Sequence, residues 1–233
     1  MSERHMMADE ELHVWAYRLE AKAPMDVLVT AVENYAGGIV LASSFGAEDV
    51  VLIDMMHKLA PTIPVFYLDT NKHFTETYHT RDRLQERYGT TFIQVLPQIT
   101  LAEQAQQHGD KLWEREPNLC CEIRKVEPLK RVLSQYEAWV TGIRREQSPT
   151  RANAKKVEWD EKFNLVKFNP LADWTDAQVW EYIHANDVPY NPLHDRNYPS
   201  IGCSVCTRAV MPGQDPRSGR WAGHEKTECG LHK

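Results

Sequence analysis

Apolar and polar positions along the chain fall into alternating helical and strand-like blocks. Residues 8–22 have the three-to-four spacing of an amphipathic helix, and after Pro24 a second helical stretch runs to about Tyr35, where Gly37 and Gly38 stop it. Ile39–Ser43 (IVLAS) is a short apolar run of the buried-strand kind, and after the loop SSFGA a helical pattern resumes over Glu48–Leu59. Pro64–Asp69 (PVFYLD) reads as a second strand, Phe74–Tyr88 as a helix and Thr91–Leu96 (TFIQVL) as a third strand. Helices at Leu101–Gln107 and Cys121–Gln135 and a strand at Ala138–Gly142 continue the alternation. This order predicts an α/β fold, a mostly parallel sheet flanked by helices.

Beyond this point the pattern changes. Arg144–Lys156 (RREQSPTRANAKK) is polar and basic, a loop long enough to suspect function. Lys156–Asn169 reads as a hairpin, and Thr175–Ala185 as a helix opened by Asp173 or Thr175. Three prolines make Asp187–Gly202 extended and irregular, and the tail from Met211 is polar with two glycine-containing turns. With no repeat and no linker, the expectation is a single domain over residues 1–233, with a mobile C-terminal segment from 208.

Composition narrows the class. The 27 Lys and Arg against 33 Asp and Glu give a net charge of −6, which argues against a globally basic nucleic-acid surface. An anionic ligand must then be held by local cations. At 42% hydrophobic and 26% charged residues, with a mean hydropathy of −0.54, the chain is neither disordered nor membrane-embedded, and no membrane partner is expected. The early acids of MSERHMMADEELHVW leave no apolar stretch for a secretory signal, so a reducing cytoplasm is expected, and structural disulfides are not.

The five cysteines form a four-plus-one set: the adjacent Cys120 and Cys121, the C-x-x-C pair Cys203 and Cys206, and a lone Cys229. Adjacent residues on a helix point about 100° apart, so only a bent backbone brings both to one centre, and Pro117 permits an irregular start. That spacing fits tetrahedral zinc poorly, whereas a four-cysteine iron–sulfur cluster is wider and more tolerant. Buried free thiols, a redox C-x-x-C and structural zinc are the other readings. Arg124, Lys125 and Arg208 lie close in sequence to these cysteines and would offset the negative charge of four thiolates.

Two further groups of residues carry chemistry. Ser43, Ser44, Phe45 and Gly46 lie between a predicted strand and a predicted helix, where backbone N–H groups can bind phosphate or sulfate; an ordinary serine-capped βα turn would look the same. The loop is neither a Walker loop nor G-x-G-x-x-G. Asp69 and Thr70 end the second strand, at the edge where ligands of open α/β sheets bind. Arg144, Arg145 and Arg151 in one loop, with Arg217 and Arg220 in RSGRW, suggest a lid over a polyanionic small molecule. Cys229 is a nucleophile only as its thiolate, and Lys226, His232 and the tail arginines are candidate cations to favour that form.

Taken together, SSFGAED, LDT at 68–70, CCEIRKVEPL from Cys120, TGIRREQSPTRA from Thr141, NPLADWT from Asn169, YPSIGCSVCTR from Tyr198, RSGRW from Arg217 and ECGLH from Glu228 resemble the assimilatory adenylyl-sulfate reductases. These form the iron–sulfur branch of the family that also reduces 3'-phosphoadenylyl sulfate. The resemblance implies an adenine nucleotide α-hydrolase-like (PP-loop) fold, one 4Fe-4S cluster on Cys120, Cys121, Cys203 and Cys206, and a nucleophile at Cys229. It implies that Lys125 bridges cluster and substrate, that Arg217, Arg220 and His232 surround the phosphosulfate, and that Gly142, Arg144 and Arg151 help bind substrate. It also implies an S-sulfocysteine intermediate and a separate thioredoxin or glutaredoxin as electron donor. Whether the chain forms a homo-oligomer is left open. Asn71 and Asn197 stand where the family often has glycine, and Lys72 adds a cation that could accommodate a 3'-phosphate. The alternatives are a preference for the 3'-phosphorylated substrate, a nucleotide-activating RNA-thiolating enzyme of the same fold, and a zinc module.

Overall fold

A computed structural model describes residues 12–221 and 223–232 of the chain; the first residues of the helix expected over 8–22 lie outside the described residues. The chain groups into two compact units: one from the described parts of 1–43, 47–65 and 135–188, the other from 44–46, 66–134 and the described parts of 189–233.

The first unit contains α1 (residues 12–19), α2 (Pro24–Tyr35), β1 (Ile39–Ser43), α3 (Ala47–Leu59), β4 (Ala138–Val140), β5 (Val157–Asp160), β6 (Leu165–Phe168) and α9 (Asp176–Ala185). β1 runs parallel to β4 and β4 parallel to β6, with Val40 opposite Trp139 and Trp139 opposite Lys167. β5 returns antiparallel beside β6, so the hairpin expected over 156–169 is present, turning through Asn164 at φ 57°. Four of the five β1 residues are buried, as in a strand covered on both faces. Val27, Leu28, Ile39, Leu41, Leu52, Trp139 and Phe168 are core residues of this unit. Thr175 is the cap of α9: its side chain accepts from Gln178 N, and Gln178 reaches back in a capping box.

The second unit contains β2 (Val65–Leu68), taken from Phe66, and β3 (Ile93–Val95), which pair in parallel with Phe66 opposite Ile93. Its helices are α4 (Thr75–Tyr88), α5 (Leu101–His108), α6 (Leu112–Arg115), α7 (Pro117–Cys121) and α8 (Glu127–Leu133), with a π-helical turn over Glu122–Val126. Gly89, left-handed at φ 58°, ends α4, and Thr100 with Glu103 forms a capping box that starts α5. The single helix expected over 121–135 is three pieces, α7, the π turn and α8. After Pro189 the chain runs through short 3-10 turns at His194–Arg196 and Ser204–Cys206, and Thr207 bridges to Arg220. No helix among the described residues is long and apolar enough to cross a membrane.

Candidate functional site

All five cysteines belong to the second unit. α7 opens with Pro117, whose fixed φ and missing N–H suit a first helical turn, and carries Cys120 and Cys121. Just beyond them the helix widens, and Glu127 N–H reaches Glu122 O five residues back. The bend demanded by two adjacent cysteines therefore follows the pair, where the sequence reading looked for it before the pair.

Cys203 and Cys206 flank the turn Ser204–Cys206, which is fastened to the chain just after β2. Ser204 N and Oγ both donate to Lys72 O, at 2.7 and 3.0 Å, and Thr70 Oγ1 and Cys203 Sγ are hydrogen-bonded at 3.3 Å. Asn71, left-handed at φ 56°, turns the chain there. Asp69 Oδ1 accepts from Asn71 N and from Tyr78 OH, and Oδ2 accepts from Gln94, 2.7 Å away. Burial alone would raise the Asp69 carboxyl, yet Tyr78, Asn71 and Gln94 hold it below its ordinary value. Asp69 and Thr70 are both buried, and through Asn71 N and Cys203 Sγ they also support the cysteine loop.

The four cysteines line one cavity together with Lys72, Arg124, Lys125, Trp113 and Trp221. Burial, then the neighbouring thiols, pushes the Cys120 thiol up to about 11 and the Cys206 thiol to about 12. Lys72 Nζ lies 4.6 Å from the Trp113 ring centre, a cation–π contact in the cysteine cavity. Arg124 is 2% exposed: its Nη1 donates to Ile99 O at 3.2 Å, but Nε and Nη2 have no hydrogen-bond partner. Unpartnered guanidinium nitrogens in a buried place are costly unless an anion or water answers them. Among the described residues no three His, Cys, Asp or Glu side chains are grouped to hold a metal ion. Arg208 is exposed, and the cations lining the cavity are Lys72, Arg124 and Lys125.

The tail is organised around Trp221, buried and left-handed at φ 45°, whose N–H donates to Cys206 O at 3.0 Å. Arg220, Lys226 and Arg217 approach its ring centre to 4.5, 5.5 and 5.9 Å. Arg220 Nη1 donates to Ser200 Oγ, and a Cβ at Gly202 would meet the Arg220 guanidinium, so glycine lets the arginine lie against the backbone there. Arg217 Nη2 donates to Thr227 O at 2.9 Å and to the buried Glu228 carboxylate at 3.2 Å. Gly230, at φ 85°, turns the chain, and Leu231 N–H donates to the Cys229 sulfur. Burial would push the Cys229 thiol up, but Lys125, the Leu231 N–H and Arg220 outweigh it and, despite Glu228, hold it below its ordinary value. Burial likewise disfavours the Lys125 charge, and the sulfurs of Cys203, Cys229 and Cys121 reverse the shift to well above the ordinary lysine value. His232 is half-buried three residues beyond Cys229.

Other expected site residues take different positions. Phe45, left-handed at φ 59°, packs on Tyr67 and Phe92 with ring centres 5.3 and 5.4 Å apart, leaving Ser44 exposed and Gly46 half-buried in the same loop. In the first unit, Ser43 ends β1, and a Cβ on Gly142 would collide with Asp49. Arg144 is 4% exposed and saturated: it meets Glu48 at 2.8 Å, Asp176 at 3.1 Å, Trp174 O at 3.3 Å and Glu146 at 3.4 Å. Arg145 bonds Ala154 O and Glu20, and Arg151 donates to Gln147 across the turns Arg145–Gln147 and Pro149–Arg151. The arginines of this expected lid thus have partners inside their own unit.

Sequence reasoning passed over Trp113, Trp221 and Glu228. The last two lie inside RSGRW and ECGLH, but nothing in their spacing announces a ring that collects cations or a buried acid. Lys226, a candidate cation for Cys229, donates to Pro117 O and Asn118 Oδ1.

Residues 38–209 match the phosphoadenosine phosphosulfate reductase domain family. The chain is 49% identical over 216 residues to adenosine 5'-phosphosulfate reductase of Halalkalibacterium halodurans, covering 92% of this chain and 94% of the relative. It is 50% identical over 220 residues to phosphoadenosine 5'-phosphosulfate reductase of Gloeobacter violaceus, covering 93% and 91%. Among solved structures, phosphoadenylyl-sulfate reductase of Candida auris in a phosphate complex is similar at TM-score 0.75 and 31% identity, covering 90% of this chain and 98% of that one. FMN adenylyltransferase of Candida glabrata, at TM-score 0.60 and 16% identity over 93% and 78% of the chains, shares the fold.

Proposed function

The chain belongs to the phosphoadenosine phosphosulfate reductase domain family, and from that premise we propose that it reduces adenylyl sulfate to sulfite and AMP in sulfate assimilation, with electrons from a thioredoxin or glutaredoxin. The observation that carries this reading is the Cys229 thiol, held toward its thiolate chiefly by Lys125 in the unit that contains the four-cysteine cavity.

In the first step the Cys229 thiolate attacks the sulfate sulfur. The bond from that sulfur to the oxygen bridging to phosphate breaks, AMP leaves with that oxygen, and Cys229 carries an S-sulfo group. Charge grows on the leaving phosphate, and Arg220 and Lys125 stabilise it, with Arg217 and His232 close by on the tail. In the second step a thiolate of the reductant attacks the Cys229 sulfur, sulfite departs with the bonding pair, and a second reductant thiol closes a disulfide and frees Cys229. Two electrons pass from the dithiol, and sulfur is reduced. Ser44, Phe45 and Gly46 are assigned to the nucleotide, with backbone N–H groups toward its phosphate. Arg144 is saturated by carboxylates and is assigned a structural role.

Cys120, Cys121, Cys203 and Cys206 suit a 4Fe-4S cluster, and the two unpartnered Arg124 nitrogens beside them suit an anionic group. When bound, the cluster supplies positioning and negative charge, since thiol exchange already delivers both electrons. A second reading, acceptance of the 3'-phosphorylated substrate, is favoured by the Gloeobacter violaceus relative's name. Lys72 lends it no support, because its ammonium sits over Trp113 in the cysteine cavity. The ratio of kcat/KM values on the two substrates decides between them.

The test is oxygen-free sulfite production from adenylyl sulfate and thioredoxin, for wild type and Cys229→Ser, with iron measured on the same samples. We expect Cys229→Ser to lose activity by at least about a thousandfold with its iron retained. Sulfite from that variant at the wild-type rate would overturn the reading. ATP-dependent pyrophosphate release in place of sulfite would point to the nucleotide-activating alternative.

A further inference from the structure

One lysine in the tail is spent on neither Cys229 nor a carboxylate. Lys226 Nζ donates to Asn118 Oδ1 at 2.8 Å and to Pro117 O at 3.1 Å, and lies 5.5 Å from the Trp221 ring centre. Pro117 and Asn118 are the first two residues of α7, the helix of Cys120 and Cys121. Lys226 precedes Cys229 by three residues, too few to leave the sulfur much freedom once the ammonium is held. On the other side, Arg217 grips Thr227 O and Glu228. The segment just before the thiol is therefore clasped from two directions, and only the Lys226 clasp reaches the cysteine-bearing helix.

We propose that Lys226 is a positioning residue: by tying the tail to the first turn of α7 it fixes where the Cys229 sulfur stands, and so favours the step in which Cys229 attacks substrate over the step in which a reductant protein must reach it. The proposal rests on the function given above. The two steps make opposite demands. Attack on a small anionic substrate needs the thiol held among Lys125 and Arg220, whereas a protein reductant needs the S-sulfo group accessible. A clasp of two hydrogen bonds and one ring contact, on a half-buried lysine, is strong enough to bias that equilibrium and weak enough to be released.

The experiment uses iron-loaded protein under oxygen-free conditions and the variants Lys226→Met, Lys226→Arg and Asn118→Ala. Iodoacetamide labelling of Cys229 is followed on the C-terminal peptide across a pH range. The plateau at high pH reads access to the sulfur, and the midpoint reads its ionisation. Lys226→Met and Asn118→Ala should raise the plateau rate by roughly tenfold, and Lys226→Arg, which can donate to the same acceptors, should stay near wild type. Asn118→Ala keeps the lysine charge, so a raised plateau there is a positional effect. In single-turnover reactions Lys226→Met should form the S-sulfo adduct more slowly, while release of sulfite from preformed adduct by thioredoxin should be as fast or faster. Unchanged plateaus in both Lys226→Met and Asn118→Ala would overturn the proposal. If wild type forms no adduct from adenylyl sulfate, the functional reading fails while the labelling result still stands on its own.

Discussion

Two buried arginines in this chain are treated in opposite ways. Arg144, in the first unit, is surrounded by Glu48, Asp176, Glu146 and the Trp174 carbonyl. Arg124, in the second, has one hydrogen bond, to Ile99 O, and two nitrogens without a partner beside four cysteines. A saturated guanidinium has no donor left for a ligand and serves the fold. An unsaturated one, equally buried, carries an electrostatic cost that the fold alone does not recover, and that cost is the reason for assigning it to an anion in the proposed function. The sequence points to a functional part for both, for Arg124 because it follows two thiols closely and for Arg144 because it sits in a basic loop, and only the packing tells them apart.

The largest test exchanges the two. Arg144→Met leaves the mostly buried Glu48 carboxylate uncompensated and should cost about 3 kcal/mol of stability, toward the low end because Asp176 and Glu146 are solvent-exposed. Arg124→Met in iron-free protein should be neutral or slightly stabilising, yet lower the iron retained after anaerobic purification. Urea unfolding midpoints and iron content read both, and equal destabilisation by the two variants would break the comparison.

A middle-sized effect is expected at Lys125. Replacing it by Met removes the charge that most favours the Cys229 thiolate, so the pH profile of Cys229 labelling should move to the alkaline side and the rate at neutral pH should fall severalfold. A profile that does not move would mean that the Leu231 N–H and Arg220 set the ionisation against burial without Lys125.

The smallest concerns acid. Burial would raise the Glu48 carboxyl, but Arg144, with Gln147, holds it below its ordinary value of 4.5. A lowered folded value contributes stability above the unfolded value and loses it as pH falls through the folded one. Unfolding free energy should therefore decline on acidification below 4.5, and Glu48→Gln should flatten that part of the curve. An unchanged slope would show that Glu48 is not the group responsible.

Much of the fold was legible because its signals are local. The IVLAS run and the β5–β6 hairpin each follow from a few neighbouring residues and are present where the pattern put them, and of Asp173 and Thr175 it is Thr175 that caps the helix. Asn71 and Asn197, read as stand-ins for glycine, are both left-handed, at φ 56° and 64°. Beyond β1 the parallel strands came out shorter than expected: Thr91–Leu96 contracts to Ile93–Val95, because β propensity extends beyond the residues that find a pairing partner. The five cysteines were legible as a set, but their supports were not. Thr70 reaches Cys203 across 133 positions and Lys226 reaches Asn118 across 108, distances over which spacing carries no information. The break of the helix after Cys121 was equally hidden, since Glu122–Val126 has ordinary helix-forming composition.

That break has a consequence for the length of the chain. A π turn accommodates one residue more than the α-helix around it, so Glu122–Val126 behaves as an insertion absorbed without a loop. Because the widened turn takes up the extra residue, deleting one of the five would let the backbone close into ordinary α-helix with α7 and α8 still in phase and Cys120 and Cys121 still beside Cys203 and Cys206. α8 has no such slack, since a one-residue deletion in a regular helix turns everything beyond it by about 100°. The widened turn should thus tolerate substitutions and the loss of one residue, where the helix after it tolerates substitutions alone.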